Sequence, residues 1–175
     1  MVPGDRRLCA GFDIASFPGE YELNVKTGSN VPDFTSEGTQ GPISLSALKG
    51  SKVVIYFYPK DNTPGCTSEA GDFRDLHDEF AKAGAVIYGV SRDSLRSHEG
   101  FRTKLGLPFD LLSDPDEALC ELFGVMKMKN MYGKQVRGIE RSTFLIDAGG
   151  RLVREWRGVK VAQHALEVLE ATRAA

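Results

Sequence analysis

The sequence predicts an α/β domain, a central mixed β-sheet flanked by helices, and three observations carry that reading. An apolar run rich in β-branched and aromatic residues, Val53 to Tyr58, precedes a helix-period stretch and then a second apolar run, Ala85 to Val90. Strand, helix, strand in that order calls for a parallel crossover. Later, Ser142 to Ile146 and Arg151 to Trp156 flank Asp147-Ala148-Gly149-Gly150, which reads as an antiparallel hairpin. Parallel and antiparallel neighbours in one sheet, closed by an amphipathic stretch from Val161 to Arg173, describe a three-layer α/β plan.

Taken in order, residues 1–20 read as a poorly ordered N-terminal extension, and residues 21–175 as one domain. Arg6-Arg7-Leu8-Cys9-Ala10-Gly11 superficially resembles an export or lipoprotein signal. Phe12 to Tyr21 then includes Asp13, Pro18 and Glu20 and forms no apolar core, which argues against both. Ile43, Leu45 and Leu48 lead through Lys49-Gly50 into the first strand, which Pro59 ends because it cannot donate to a sheet ladder. Thr63 as N-cap and Pro64 at the first helical position open a helix. Ala70, Phe73, Leu76, Phe80 and Ala83 line its buried face, and Gly84 closes it.

After the second strand, Asp93 reads as the cap of a helix carrying Leu95, Phe101 and Leu105, and Phe109 to Leu112 as a short strand. Asp114, Pro115 and Glu117 form a capping box for a helix that runs to Phe123 and ends at Gly124. Met126, Met128 and Met131 with Tyr132 read as a loop packed on the core, or as an apolar approach for bulky ligands.

Composition excludes several classes. Of 175 residues, 22 are basic and 24 acidic, intermixed, for a net charge of −2; no basic block suits nucleic acid or an anionic membrane. No stretch has the length of a membrane span. Three cysteines without paired spacing argue against a disulfide framework and for a reducing, cytoplasmic setting. His77, His98 and His164, scattered along the chain, read as surface or rim residues without metal-ligand spacing.

The strongest chemical signal is Cys66. Two residues after Pro64 it falls in the first helical turn, where free backbone N–H groups and the positive dipole end favour a thiolate. Glu69, one turn further, reads either as the partner of a nearby cation or as an acid matching the helix dipole. On spacing alone Thr63 reads as a cap and Pro59 as a strand terminator.

The segment Tyr56-Phe57-Tyr58-Pro59-Lys60-Asp61-Asn62-Thr63-Pro64-Gly65-Cys66 contains the pattern Pro-x-x-x-Thr-x-x-Cys and resembles the active-site segment of the peroxiredoxins. It is most similar to the bacterioferritin-comigratory-protein, or PrxQ-type, branch. Val31-Pro32-Asp33-Phe34, Gly89-Val90-Ser91-Arg92-Asp93 and Arg141-Ser142-Thr143-Phe144-Leu145-Ile146-Asp147 extend the resemblance across residues 28–170.

That resemblance implies a thioredoxin-like fold and a thiol-dependent peroxidase, an antioxidant enzyme of redox homeostasis needing no cofactor or metal. Cys66 would attack hydrogen peroxide or an organic hydroperoxide and become a sulfenic acid. Thr63 would present its hydroxyl, Pro59 would shield the sulfur, and the Gly65 and Cys66 N–H groups would bind peroxide oxygens. Arg141 would stabilise the thiolate and the displaced oxygen. By sequence alone Arg137, Arg151 and Arg154 are equal candidates, and a solvated strand-end arginine is an equal reading of Arg141.

Many relatives carry a resolving cysteine at one of two positions, occupied here by Gly71 and Arg102. Cys120, between Leu119 and Leu122, reads as a small buried hydrophobe, and Cys9 lies in the extension. The expectation is a monomer with a one-cysteine cycle, resolved by glutathione, glutaredoxin or thioredoxin. Two alternatives stay open at this point. One is a thiol–disulfide oxidoreductase, although Cys66-Thr67-Ser68-Glu69 lacks the second sulfur of that motif. The other is a non-enzymatic peroxide sensor or holdase.

Overall fold

Side-chain alternation along the central strand divides the interior into two apolar layers. In the computed structural model, which describes residues 25–175, the strand read near 53–58 is β3 (Lys52–Phe57). Val53, Ile55 and Phe57 enter one buried layer, whereas Val54 and Tyr56, with Tyr58 just beyond, enter the other. A strand buried on both faces suits parallel neighbours covered by helices.

The sheet is built around it. The N-terminal hairpin of β1 (Thr35–Gly38) and β2 (Gly41–Ser44) precedes β3 in the chain. β3 pairs in parallel with β4 (Ala85–Ser91), and β4 in parallel with β5 (Asp110–Ser113), whose far edge takes β1 antiparallel. β6 (Met126–Met131) and β7 (Lys134–Ile139) form a separate ribbon. On its other side β3 runs antiparallel to β8 (Ser142–Ile146), which turns into β9 (Leu152–Arg157). The seven-stranded order is β2-β1-β5-β4-β3-β8-β9, the mixed sheet the sequence predicted.

Helices cover both faces unequally. Phe73 of α1 (Pro64–Asp75), Phe80 of α2 (His77–Lys82) and Phe101 of α3 (Leu95–Leu105) pack with Val54 and Tyr56. On the opposite face Leu119 and Cys120 of α4 (Ala118–Leu122), with Phe123, meet Phe57, Val90 and Phe144. Val168 and Leu169 of α5 (His164–Ala174) join the first layer. Each fully buried Phe or Leu contributes about 1.5–3 kcal/mol by leaving water, which makes these two layers the main source of cohesion.

Several local expectations are corrected. The helix read from 63 to 83 is two helices meeting at Leu76, whose ψ of 3° departs from helical geometry. The periodicity survives because the Leu76 N–H still donates to Asp72 and the Phe80 N–H to the Leu76 carbonyl. The α3 cap is Ser94, whose side chain accepts from the Ser97 N–H, and Asp93 is used elsewhere. Asp114 does cap, but its carboxylate takes the Leu119 and Cys120 N–H groups, and α4 begins only after Glu117, which is left-handed at φ 64°.

The methionine segment is not a loop packed on the core. Met128 and Met131 are exposed along the β6–β7 ribbon, and only its base, Met126 and Ile139, touches the interior. Tyr132 and Gly133 link its strands with φ of 53° and 79°, the paired positive values a two-residue hairpin turn needs. The expectations for residues 1–20 and for Cys9 lie outside the described residues.

Gly89 tests how tightly the strand faces are packed. It lies opposite Tyr56 across the β3–β4 pair, and a Cβ there would stand 2.8 Å from Leu111 Cδ2 and from the Tyr56 ring and hydroxyl. Gly89→Ala is expected to cost about 1–3 kcal/mol through overpacking. A lower urea midpoint at an unchanged denaturant slope would register it.

Candidate active site

Residues 58–63 fold as a turn between the end of β3 and the start of α1, and that turn delivers Cys66 to the buried side of the helix. Cys66 is 1% exposed and packs with Tyr56, Tyr58 and Phe73. Thr63 occupies the cap position with extended backbone, φ −91° and ψ 153°, yet its side chain does not cap. Its hydroxyl instead donates back to the Lys60 carbonyl at 2.8 Å. The first ladder bond of α1 runs from the Thr67 N–H to Thr63, so the Gly65 and Cys66 N–H groups precede the ladder and have no side-chain cap. Pro59 is half-buried at the strand end, where the sequence placed it.

Arg141 arrives from the other side. It immediately precedes β8, whose Ser142 pairs with Phe57, so the antiparallel register sets residue 141 beside the start of the active-site turn. Arg141 Nη2 donates to Cys66 Sγ at 3.3 Å, and Nη1 donates to Glu69 Oε1 at 2.7 Å. Gly65 makes room for this approach: a Cβ there would lie 3.3 Å from Nη2. Of the arginines left open by the sequence, this one meets the sulfur, while Arg137 binds Glu117 and Glu121 and Arg154 binds Glu167.

The electrostatics follow from burial. The Glu69 side chain is 2% exposed. Loss of water pushes its carboxyl up to about 7, with Arg141 opposing and Asp72 adding to the rise. Burial disfavours the Arg141 charge as well, but Glu69 and Cys66 together hold the guanidinium protonated more firmly than usual. Glu69 is therefore the partner of an active-site cation, one of the two readings the sequence allowed.

A second set of polar groups was missed. His98, expected at the surface, is fully buried: Nδ1 lies 2.7 Å from Asp61 Oδ2 and Nε2 lies 2.9 Å from the Leu112 carbonyl. An acceptor faces each ring nitrogen. Asp61 also accepts from the Tyr58 hydroxyl at 2.6 Å and from Ser97 Oγ at 2.8 Å, while its own N–H donates to Asp93. Burial works to raise the Asp61 pKa, but the bonds from His98 and Tyr58 offset it and leave the carboxyl below its ordinary range. Through these bonds α3 and the end of β5 grip the turn that carries Thr63. Asn62 in that turn is left-handed at φ 62°, a conformation that needs such support in a non-glycine residue.

His164 is buried as well, bonded to Thr143 Oγ1 at 2.8 Å, and burial pushes its pKa down to about 4. The sequence carried a signal for His98: it lies three residues after Leu95 and three before Phe101, on the apolar stripe. Asp61, Asp93 and His98 gather ligand-type atoms within 4.8 Å of one another. Hydrogen bonds to Tyr58, Ser91, Ser97 and the Leu112 carbonyl already occupy them and account for the cluster.

Cys120 does not join the site. It packs with Val53-side residues on one face of the sheet, whereas Cys66 packs with Val54-side residues on the other. Burial and the adjacent Asp114 carboxylate push its thiol well up, and it behaves as the small buried apolar group the sequence suggested.

Comparison with known proteins points in one direction. The family model described as AhpC/TSA family matches residues 27–155. Peroxiredoxin Bcp of Xanthomonas campestris is 59% identical over 145 residues, covering 83% of this chain and 89% of that protein. Peroxiredoxin Bcp of Bacillus subtilis is 51% identical over 152 residues, covering 86% and 97%. The solved bacterioferritin comigratory protein of X. campestris, studied for its alkyl peroxide reduction activity, aligns with a TM-score of 0.80 at 53% identity, covering 85% of this chain and 98% of that one.

The grip on the turn has a measurable consequence. His98→Ala removes one of three side-chain donors to the buried Asp61 carboxylate and leaves the Leu112 carbonyl without its partner, and should cost about 1–3 kcal/mol near neutral pH. Because the folded-state pKa of Asp61 is depressed, the stabilisation is present above the ordinary carboxylate value and fades as pH falls below about 4. Urea titrations of both proteins at neutral and acid pH should show the deficit shrinking in acid.

Proposed function

The chain belongs to the AhpC/TSA family and is a peroxiredoxin of the Bcp/PrxQ type, and from that premise we propose a one-cysteine thiol peroxidase in which Cys66 reduces hydrogen peroxide and organic hydroperoxides. The observation that carries this reading is the Arg141 guanidinium bonded at once to Cys66 Sγ at 3.3 Å and to Glu69 at 2.7 Å. Alkyl peroxide reduction by the X. campestris relative supports the substrate class.

In this reading the sulfur is negatively charged when the peroxide enters, stabilised by Arg141 and the amino end of α1. A sulfur electron pair attacks one peroxide oxygen in line, the O–O bond breaks, and the departing oxygen leaves as water or alcohol. Sulfur is left as a sulfenic acid. The uncapped Gly65 and Cys66 N–H groups and the guanidinium supply donors aimed at charge that develops on the departing oxygen. Thr63, its hydroxyl tied to Lys60, contributes a fixed polar wall, and Pro59 limits water at the strand end.

Resolution is the finer question. A disulfide needs Cα atoms within about 7 Å. Cys66 and Cys120 lie in layers separated by the sheet, so joining them would mean dismantling it. Gly71 and Arg102 have no sulfur, and Arg102 instead ties α3 to the Phe109 carbonyl at 3.1 Å. These features support reduction of the sulfenic acid by an external thiol such as glutathione, glutaredoxin or thioredoxin.

Cys66→Ser should abolish peroxide turnover, and undiminished turnover in that variant would remove the proposal. Arg141→Lys keeps a cation but loses the forked geometry, and should slow peroxide-driven oxidation of Cys66 by about 10²–10³-fold in stopped-flow. Cys120→Ala should leave turnover with an external thiol unchanged. In the wild type, mass spectrometry after one equivalent of peroxide should find oxygen on Cys66, whereas a Cys66–Cys120 linkage would overturn the one-cysteine cycle.

A further inference from the structure

Cys66 and Glu69 lie one turn apart on α1 and share a single cation. All three groups are withdrawn from solvent: Cys66 is 1% exposed and the side chains of Arg141 and Glu69 are 16% and 2% exposed. With thiol and carboxyl both ionised, two buried negative charges would face one positive charge, an arrangement the interior strongly disfavours. One proton shared between them makes the cluster neutral, as thiolate with carboxylic acid or as thiol with carboxylate.

The carboxyl itself shows where that proton fits. Oε1 accepts from Arg141, whereas Oε2 is buried and has no hydrogen-bond partner. A bare carboxylate oxygen in that position is costly, and a hydroxyl there carries no charge to solvate. The Tyr56 hydroxyl, also buried without a partner, faces the field of Glu69 from β3.

We propose that Glu69 holds the proton Cys66 gives up on becoming a thiolate and yields it when the peroxide is cut, so that sulfenic acid formation draws no net proton from solvent. The inference rests on the peroxidase reading above. The Cys66 thiolate attacks the terminal oxygen of R–O–OH. Its electron pair becomes the S–O bond, and the O–O pair departs on RO⁻. RO⁻ gains the proton surrendered by Glu69 and leaves as ROH. Sulfur loses two electrons and the peroxide gains two. The product is a neutral sulfenic acid beside a Glu69 carboxylate that now has the guanidinium to itself, and cluster charge is conserved.

The surroundings fit this role. Burial brings the Glu69 carboxyl to about 7, where a proton is both held and releasable near neutrality. Asp72 on α1 adds to that rise, and Arg141 opposes it. Tyr56 on β3 is pushed well up by burial and stays neutral. His164 of α5 is pushed down to about 4 by burial, with Arg141 adding to the fall, and is neutral too, so it brings no competing charge.

The test is a proton count during one turnover. Reduced protein in weak buffer near pH 6.5 is mixed with one equivalent of hydrogen peroxide. A pH-indicator dye reports proton uptake, and mass spectrometry counts sulfenic acid. The wild type should take up almost no proton per sulfenic acid. Glu69→Gln keeps an acceptor for Arg141 but stores no proton, and should take up about one. Uptake of about one proton by the wild type, or equal uptake by both proteins, would overturn the inference. Failure of peroxide to oxidise Cys66 at all would instead strike the peroxidase reading, and this one with it.

Discussion

One guanidinium lodged between a buried sulfur and a buried carboxyl is the interaction on which the site depends. A cation out of water costs several kcal/mol unless it is answered, and Arg141 is answered twice, at 2.7 Å by Glu69 and at 3.3 Å by Cys66. Its placement is a matter of sheet register. Ser142 stands opposite Phe57, so Arg141 emerges beside the first residue of the active-site turn, 75 positions away in sequence from the cysteine it meets. A slip of one residue between β3 and β8 would send that side chain to the opposite face of the sheet. The antiparallel half of the thioredoxin-like sheet thus aims the cation, and the parallel half supplies the helix bearing the sulfur.

The turn between strand and helix needs its own anchor. Asn62 is held in a left-handed conformation, and the Thr63 hydroxyl bonds within the turn rather than to the helix. What fixes it is Asp61, bonded by Tyr58 just beyond β3 and by Ser97 and His98 from α3, with its N–H on Asp93. His98 extends the grip to β5 through Leu112. Segments that share no local sequence therefore converge on this one turn. A fully bonded buried network of this kind rigidifies what it touches.

Local chemistry was legible in the sequence, and long-range pairing was not. The run Val53 to Tyr58, the stop at Pro59 and the opening at Thr63-Pro64 each rest on a rule acting over a few residues, and each matches the structure. Arg141 could not be told from Arg137 or Arg154 by spacing, because its role depends on which strand lies beside β3. The resemblance selected it, and the geometry now gives the reason. His98 was misread because histidine is so often exposed, although its place between Leu95 and Phe101 lay on the buried stripe. The β6–β7 ribbon carried too few β-branched or aromatic residues to announce strands. Its turn depends on Tyr132 adopting a positive φ that tyrosine rarely takes.

Chemistry at Cys66 also constrains how firmly α1 can be held. The sulfur is nearly sealed, yet in the proposed one-cysteine cycle a thiol arriving from outside has to reach it once it is oxidised. The amino end of α1 is the least reinforced part of that seal. Its first turn has no side-chain cap, and a good cap is worth about 1 kcal/mol. Gly65 and Gly71 each weaken the helix by a further 0.5–1 kcal/mol or so relative to alanine. Capping those N–H groups would firm the helix but remove the donors proposed to face the reacting oxygen. Filling Gly65 would crowd Arg141 at 3.3 Å. The features that leave this turn weak are the same ones that leave room for the cation and, in the proposed reaction, for the peroxide, so local stability and the proposed reactivity at Cys66 oppose each other here.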